Sequence, residues 1–345
     1  MSTLITGGGG FIGTNLAERL LCEGERVIVL DDLSRAGAED NLRWLCERHG
    51  SRVEVEIGDV RDRDALRRPV AAARRIFHFA AQVAVTTSLE EPLCDATVNA
   101  LGTINLLEEA RAAGRAPRLV FTSTNKVYGS LEDVRLREGP TRYEPQDATL
   151  RQRGIGEQRP LCFRTPYGCS KGAADQYVLD YAKSFGLPSV VFRMSCIYGP
   201  HQHGNEDQGW VAHFMIRALE DESITIFGDG KQVRDVLYVD DLVEALLLAS
   251  RDAPRLAGTP FNIGGGAHNC LSLRELLALI GELEGREPAV ACEDWRAGDQ
   301  RYYASDTSAF ARATGWSPQV APRQGVRALR RWLTAERGRR TAAAA

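Results

Sequence analysis

Paired cysteines, long apolar runs and a dominant charge are all missing from this sequence. Its eight cysteines, at 22, 46, 94, 162, 169, 196, 270 and 292, are scattered without a C-x-x-C pair. That argues against a zinc or disulfide framework and predicts reduced thiols in a cytoplasmic protein. No apolar stretch approaches the ~20 residues that span a bilayer, so no membrane partner is expected. Only Met1-Ser2 stand before the first strand-like run, so no secretory leader is expected. The formal net charge is −3, which points away from nucleic acid. Arginines at 327, 330, 331, 337, 339 and 340 are a local exception, read as the solvated face of a helix that gives way to a disordered tail at 335–345. An apolar content of 43% over 345 residues suits one large α/β unit or two unequal lobes around a cleft. A core of that size needs no structural metal.

What is present is an alternation of short apolar runs with longer helical patterns. Strands are predicted at 4–6, 26–30, 52–57, 75–79, 118–122 and 189–193, and helices at 11–22, 93–113 and 166–185. This rhythm predicts a doubly wound parallel α/β sheet of Rossmann type over residues 1–194. Residues 130–163, rich in Arg, Glu, Gly and Pro, interrupt it and read as a surface insertion. Residues 195–325 read mainly as a smaller C-terminal α/β substrate lobe, built from 195–235 and 260–310. The helix near 240–250 is expected to return to the large lobe. Ser272 with Glu275 forms a capping-box signal for a helix over 273–283.

Between the first strand and first helix lies Thr-Gly-Gly-Gly-Gly-Phe-Ile-Gly at residues 6–13. Gly7, Gly10 and Gly13 have the spacing of a loop that turns tightly and brings backbone amides to a pyrophosphate. Asp31 and Asp32 follow the second strand, where a carboxylate accepts from a ribose 2′-hydroxyl and repels a 2′-phosphate. They predict NAD over NADP, with Arg35 as a weak counter-signal. Asp59-Val60 follows the third strand, and Asp59 either meets the adenine or caps the next helix. The cofactor set expected is therefore Gly7, Gly10, Phe11, Ile12, Gly13, Asp31, Asp32, Asp59, Val60, Ala80, Gln82 and Asn99, joined by Tyr167 and Lys171.

Thr124 lies just past the fifth strand, and parallel sheets place ligands at the carboxyl ends of their strands. Tyr167 and Lys171 stand four residues apart on the next helix and share a face. A free phenol, with pKa about 10, is a poor base at neutral pH. An adjacent ammonium and a cationic nicotinamide both favour the phenolate. Thr124 would hold a substrate oxygen while Tyr167 takes its proton and hydride passes to the cofactor.

These residues resemble the extended short-chain dehydrogenase/reductase superfamily of nucleotide-sugar enzymes, over roughly residues 1–320. Four segments narrow the resemblance to the CDP-paratose 2-epimerase (CDP-tyvelose 2-epimerase) family: Phe121-Thr-Ser-Thr-Asn-Lys-Val-Tyr-Gly129, His78-Phe-Ala-Ala-Gln-Val-Ala-Val-Thr-Thr-Ser88, Thr165-Pro-Tyr-Gly-Cys-Ser-Lys-Gly-Ala-Ala-Asp-Gln-Tyr177 and Asp207-Gln-Gly-Trp-Val211. The insertion with Thr141-Arg-Tyr143 is similar too. The resemblance implies that bound NAD oxidises C2 of a CDP-linked 3,6-dideoxyhexose, the ketone turns its other face, and the hydride returns. It maps catalysis onto Thr124, Tyr167 and Lys171. The similar 4,6-dehydratases carry an Asp-Glu pair after the Thr; here Asn125 and Lys126 stand there, so elimination lacks its acids. The resemblance also points to Arg234 and Arg301 for the diphosphate, and to Thr86, Thr124, Asn125 and Ser195 for the sugar, with Gln82 and Thr87 as weaker candidates. A homodimer or homotetramer is implied.

The segment Met194-Ser-Cys-Ile-Tyr-Gly-Pro-His-Gln-His203 departs from the family's His-Ser-Ser-Met-Tyr pattern. It leaves open the sugar and the carbon inverted, including epimerisation at C4. His201 and His203 lack a third ligand and read as a polar loop, and no metal is expected. Gly264-Gly-Gly266 has no following Lys-Ser/Thr and reads as a tight turn after a strand. A net oxidoreductase would exchange its NAD with solvent. A dinucleotide sensor would have no need of the Thr124, Tyr167 and Lys171 set.

Overall fold

The computed structural model describes residues 2–296 and 298–344, the side chains of 340–344 excepted. Seven parallel strands form the central sheet. The first, Ser2–Thr6, pairs with the second, Val27–Asp31, on one side and the fourth, Ala73–His78, on the other. The third, Val53–Ile57, closes one edge. The fifth, Arg118–Thr124, and sixth, Ser189–Met194, extend the other side. The order of strand connection therefore reverses between the first and fourth strands, leaving a crevice at the carboxyl ends. The middle strands are apolar on both faces because helices cover both.

Several boundaries differ from the sequence reading. The outermost strand, Pro260–Ile263, pairs with Ser189–Met194 in the large sheet, so these residues leave the small lobe to which they were assigned. Two helices, Ala38–His49 and Arg63–Ala72, follow the second and third strands. The predicted helix over 93–113 is Pro92–Ala96 running through a π turn at Thr97–Leu101 into Gly102–Ala112. The C-terminal helix Pro322–Ala344 continues through most of the expected tail, as its Ala- and Arg-rich sequence favours; Ala345 lies outside the described residues. The helix Val239–Arg251 does return, placing Leu242, Val243 and Leu246 in one core with Leu16 and Leu20 of Phe11–Cys22.

The small lobe is built on Val233–Tyr238. This strand pairs in parallel with Cys196–Tyr198 and Tyr302–Tyr303 and antiparallel with Cys270–Ser272. The capping box forms as read: Ser272 accepts from Glu275 N at 3.1 Å, and Glu275 accepts from Ser272 N at 2.9 Å. The insertion is docked rather than free on the surface. Its Arg142 pairs with that same Glu275, Tyr143 Oη donates to Asp229 at 2.5 Å, and Ile155 is buried.

Candidate active site

The glycine loop leaves no room for a side chain at Gly7, Gly8 or Gly13. A Cβ on Gly7, where φ is +68°, would stand 2.6 Å from Ala80 N; one on Gly13 would stand 2.5 Å from Gly7 O. No side chain caps the Phe11–Cys22 helix at Gly10, so its N-terminal amides and dipole face the crevice ready for an anion. Asp31 anchors the loop: Oδ2 accepts from Gly9 N and Oδ1 from Leu33 N, both at 2.9 Å. Burial pushes the Asp31 carboxyl up, and those two amides oppose the shift. Thr86 Oγ1 and Ser123 Oγ are buried without a hydrogen-bond partner among the described residues. Ser123, which the sequence reading passed over, ends the fifth strand with Thr124. A cradle closed to a Cβ at Gly7, Gly8 and Gly13, an uncapped helix start and orphaned hydroxyls fit a bound dinucleotide.

Several predicted contacts are otherwise employed. Arg35 donates across the cleft to Gln208 of the small lobe, and its charge reaches the Tyr167 phenol. Asp59 is held by Arg61, whose Nε lies 2.8 Å away, and the helix cap is Asp62 instead. Asn99 is buried in the π turn, accepting from Gln82 N at 2.9 Å and donating to Ser170 Oγ at 3.0 Å. The Gln82 amide is spent on Ala84 and Asp95. Asn99 and Gln82 thus shape the pocket wall through neighbouring residues, because their polar atoms found partners within the chain. Ser195 likewise donates to the Asp235 carboxylate and to its backbone carbonyl at 3.0 Å. Gly264-Gly-Gly266 passes close over Asp235: a Cβ on Gly264 would lie 2.2 Å from Asp235 Oδ2, and Gly266 N donates to it at 3.0 Å. His201 lies in the polar loop between Cys196–Tyr198 and Trp210–Glu220, as read, but its side chain turns inward. It is buried, its ring centre 4.3 Å from that of Trp44 and 5.0 Å from that of Trp332 in tilted contacts, with Nδ1 3.1 Å from Asn41 Oδ1.

Thr124 and Tyr167 share a hydrogen bond, and Lys171 lies one turn from Tyr167 on the same helix. Thr124 is the last residue of the fifth strand, and its Oγ1 accepts from Lys126 N at 3.2 Å. Tyr167 and Lys171 lie on the helix Thr165–Phe185, and both side chains are buried. Burial pushes the Tyr167 phenol up to about 12, while a hydrogen bond with Thr124 and the Arg35 charge pull it down. Burial drives Lys171 down to about 7, opposed by Asp175 and Asp95. Its Nζ lies 4.3 Å from the centre of the Phe121 ring. Desolvation therefore acts against both charged forms more strongly than the helix spacing alone suggested. One turn further, Asp175 forms a buried pair with Arg193 at 2.9 and 3.0 Å, and Arg193 also donates to Tyr128 Oη at 3.2 Å.

Small-lobe residues approach from the opposite side. Arg234 is buried and donates to Asp299 Oδ1 at 2.6 Å. Asn125 donates to Gln300 Oε1 at 3.3 Å. Arg301 is exposed, its guanidinium 5.5 Å from the Tyr143 ring and 5.3 Å from that of Trp295.

The chain is similar to known proteins over most of its length. A family model described as the NAD dependent epimerase/dehydratase family matches residues 3–264. The sequence is similar to that of CDP-paratose 2-epimerase from Salmonella typhi, 42% identical over 341 residues, 97% of this chain and 99% of the relative. The backbone is similar to a double mutant of dTDP-glucose 4,6-dehydratase from Streptomyces venezuelae with NAD bound (TM-score 0.84, 31% identity, 98% of each chain). It is also similar to UDP-glucose 4-epimerase from Thermus thermophilus in complex with NAD (TM-score 0.81, 32% identity, 97% of this chain and 99% of that one).

Proposed function

Because the chain belongs to the NAD dependent epimerase/dehydratase family, we propose that it is an NAD-dependent epimerase inverting C2 of a CDP-linked 3,6-dideoxyhexose, converting CDP-paratose to CDP-tyvelose. The observation that carries this reading is Thr124 at the carboxyl end of the fifth strand, hydrogen-bonded to Tyr167 with Lys171 one turn further along the same helix, and Asn125 and Lys126 where an elimination would need carboxylic acids. The relative from Salmonella typhi supports the choice of sugar.

NAD, when bound, supplies the hydride acceptor and donor and a positive ring charge that favours the phenolate. Gly7, Gly10 and Gly13 would hold its pyrophosphate and Asp31 its ribose. Thr124 Oγ1 orients the substrate oxygen, and Tyr167 Oη takes the C2 hydroxyl proton. Lys171 lies one helical turn away and holds positive charge near the phenolate while protonated. After the C2 ketone presents its other face, the same phenol returns the proton. Buried walls around Tyr167 and Lys171 keep water from the ketone. Arg234 and Arg301 would receive the diphosphate.

Proton NMR of the purified protein with CDP-paratose and no added NAD tests the reading. CDP-tyvelose is the expected product, formed by self-sufficient bound cofactor. Unchanged CDP-paratose alongside conversion of a UDP- or GDP-sugar would overturn the substrate while keeping the chemistry. The departing segment around Met194–His203 favours that second reading, an epimerase for another sugar or for C4.

The proposal includes a homodimer. Leu89, Leu93, Leu101, Tyr177 and Phe185 are exposed on the packed helices of residues 85–112 and 165–185, Leu93 to 76%. So many large apolar side chains on one helical layer support association with a second copy. Charging Leu93 and Leu101 as glutamates is expected to reduce the mass in light scattering to that of one chain; an unchanged mass would overturn this assignment. A cytoplasmic setting belongs to the same proposal, supported by eight free cysteines. No helix among the described residues is long and apolar enough to cross a membrane.

A further inference from the structure

Lys126 stands two residues beyond Thr124, in the 3₁₀ turn Asn125–Tyr128. Its side chain is three-quarters buried, a costly position for an ammonium without a task. Nζ lies 3.5 Å from Gly298 O and 3.8 Å from Asp299 Oδ1. That same carboxylate oxygen accepts from Arg234 Nη2 at 2.6 Å. One cation from the large lobe and one from the small lobe thus converge on a single oxygen. The neighbouring Asp235 does not balance them: it accepts from Ser195, Gly266 N and Ser305 N. Two cations converging on one acidic oxygen is the arrangement a phosphate oxygen would complete.

We propose that Lys126 and Arg234 together hold the diphosphate of the substrate, in the place where the Asp299 carboxylate stands in this structure. Asp299 is a stand-in that keeps the two cations aimed at one point and yields to the entering anion. The inference rests on the nucleotide-sugar reading and extends it to the carbon that reacts. In a nucleotide sugar the diphosphate is attached at C1, so C2 is the ring carbon beside it. A cation two residues from Thr124 draws C1 towards the catalytic groups and brings C2, rather than C4 across the ring, to Tyr167. Lys126 therefore both removes an acid needed for elimination and selects the position of attack.

Calorimetric titration of the NAD-loaded protein with CDP, UDP and their parent nucleosides tests this without requiring turnover. Lys126→Gln is expected to weaken both diphosphates about 10- to 100-fold while leaving the nucleosides unchanged, the loss of one charge-assisted hydrogen bond. Lys126→Arg keeps the charge and is expected to stay within a few-fold of wild type, and retained NAD reports that each variant is folded. Asp299→Asn removes the competing carboxylate and is expected to tighten the diphosphates. Diphosphate affinity unchanged in Lys126→Gln would overturn the assignment of Lys126. Weaker or unchanged affinity in Asp299→Asn would overturn the stand-in role. Absence of diphosphate binding to the wild-type protein would defeat the nucleotide-sugar reading itself, before any variant is compared.

Discussion

Replacing Tyr167 with phenylalanine is expected to lower kcat by about 10²- to 10⁴-fold, the range for loss of a positioned acid–base group. The protein should remain folded and keep its NAD. The phenol is buried and hydrogen-bonded to Thr124, so removing its hydroxyl costs about one neutral hydrogen bond, ~1 kcal/mol, and leaves the ring packing intact. The effect should therefore fall on turnover rather than on stability. NMR assay of the epimerisation, together with ultraviolet quantification of the dinucleotide released on denaturation, separates the two. Activity within a few-fold of wild type would remove Tyr167 from its role. Normal kcat with lost NAD would make it a cofactor-binding residue only.

Replacing Asp175 with alanine is expected to destabilise the fold by about 3–5 kcal/mol, the cost of stranding a buried charge. That is a large share of the ~5–15 kcal/mol typical of a native domain. The Arg193 side chain is only 4% exposed and would lose two charge-assisted bonds. Its remaining polar partner, Tyr128 Oη, is neutral and is itself committed to Asn262 at 2.7 Å. The same change removes the leading charge that keeps Lys171 protonated, so Lys171 should become neutral at a still lower pH. Chemical denaturation measures the first effect. The double change Asp175→Leu with Arg193→Met should restore much of the stability, since a buried pair is replaceable as a unit. An Asp175→Ala midpoint equal to wild type would show that the pair contributes nothing.

The parts of the site that were legible share a property: they are local in sequence. The glycine spacing, the four-residue step from Tyr167 to Lys171, the position of Thr124 at a strand end and the Ser272–Glu275 cap all lie within one turn or one loop. Backbone geometry dictates such relations directly. Ser195, Gln82 and Asn99 have comparable addresses along the chain, yet their polar atoms are consumed by Asp235, Ala84, Asp95 and Ser170. A side chain with several bonding options takes the partner that tertiary packing brings to it, and no spacing rule reveals which partner that is.

Pro260–Ile263 shows the same limit at the level of the fold. Four residues carry too little periodicity to announce a strand. They become one because Ser189–Met194, far away in sequence, presents an open edge. The sequence by itself determined a parallel dinucleotide-type fold and the four-residue spacing that puts Tyr167 and Lys171 on one helix, since both follow from patterns no longer than one helix or strand. Tertiary structure alone decided how deeply Tyr167 and Lys171 are desolvated, which carboxylates are buried beside them, and that Lys126 and Arg234 meet across the cleft at Asp299. Solvation and long-range charge depend on atoms that only folding brings together.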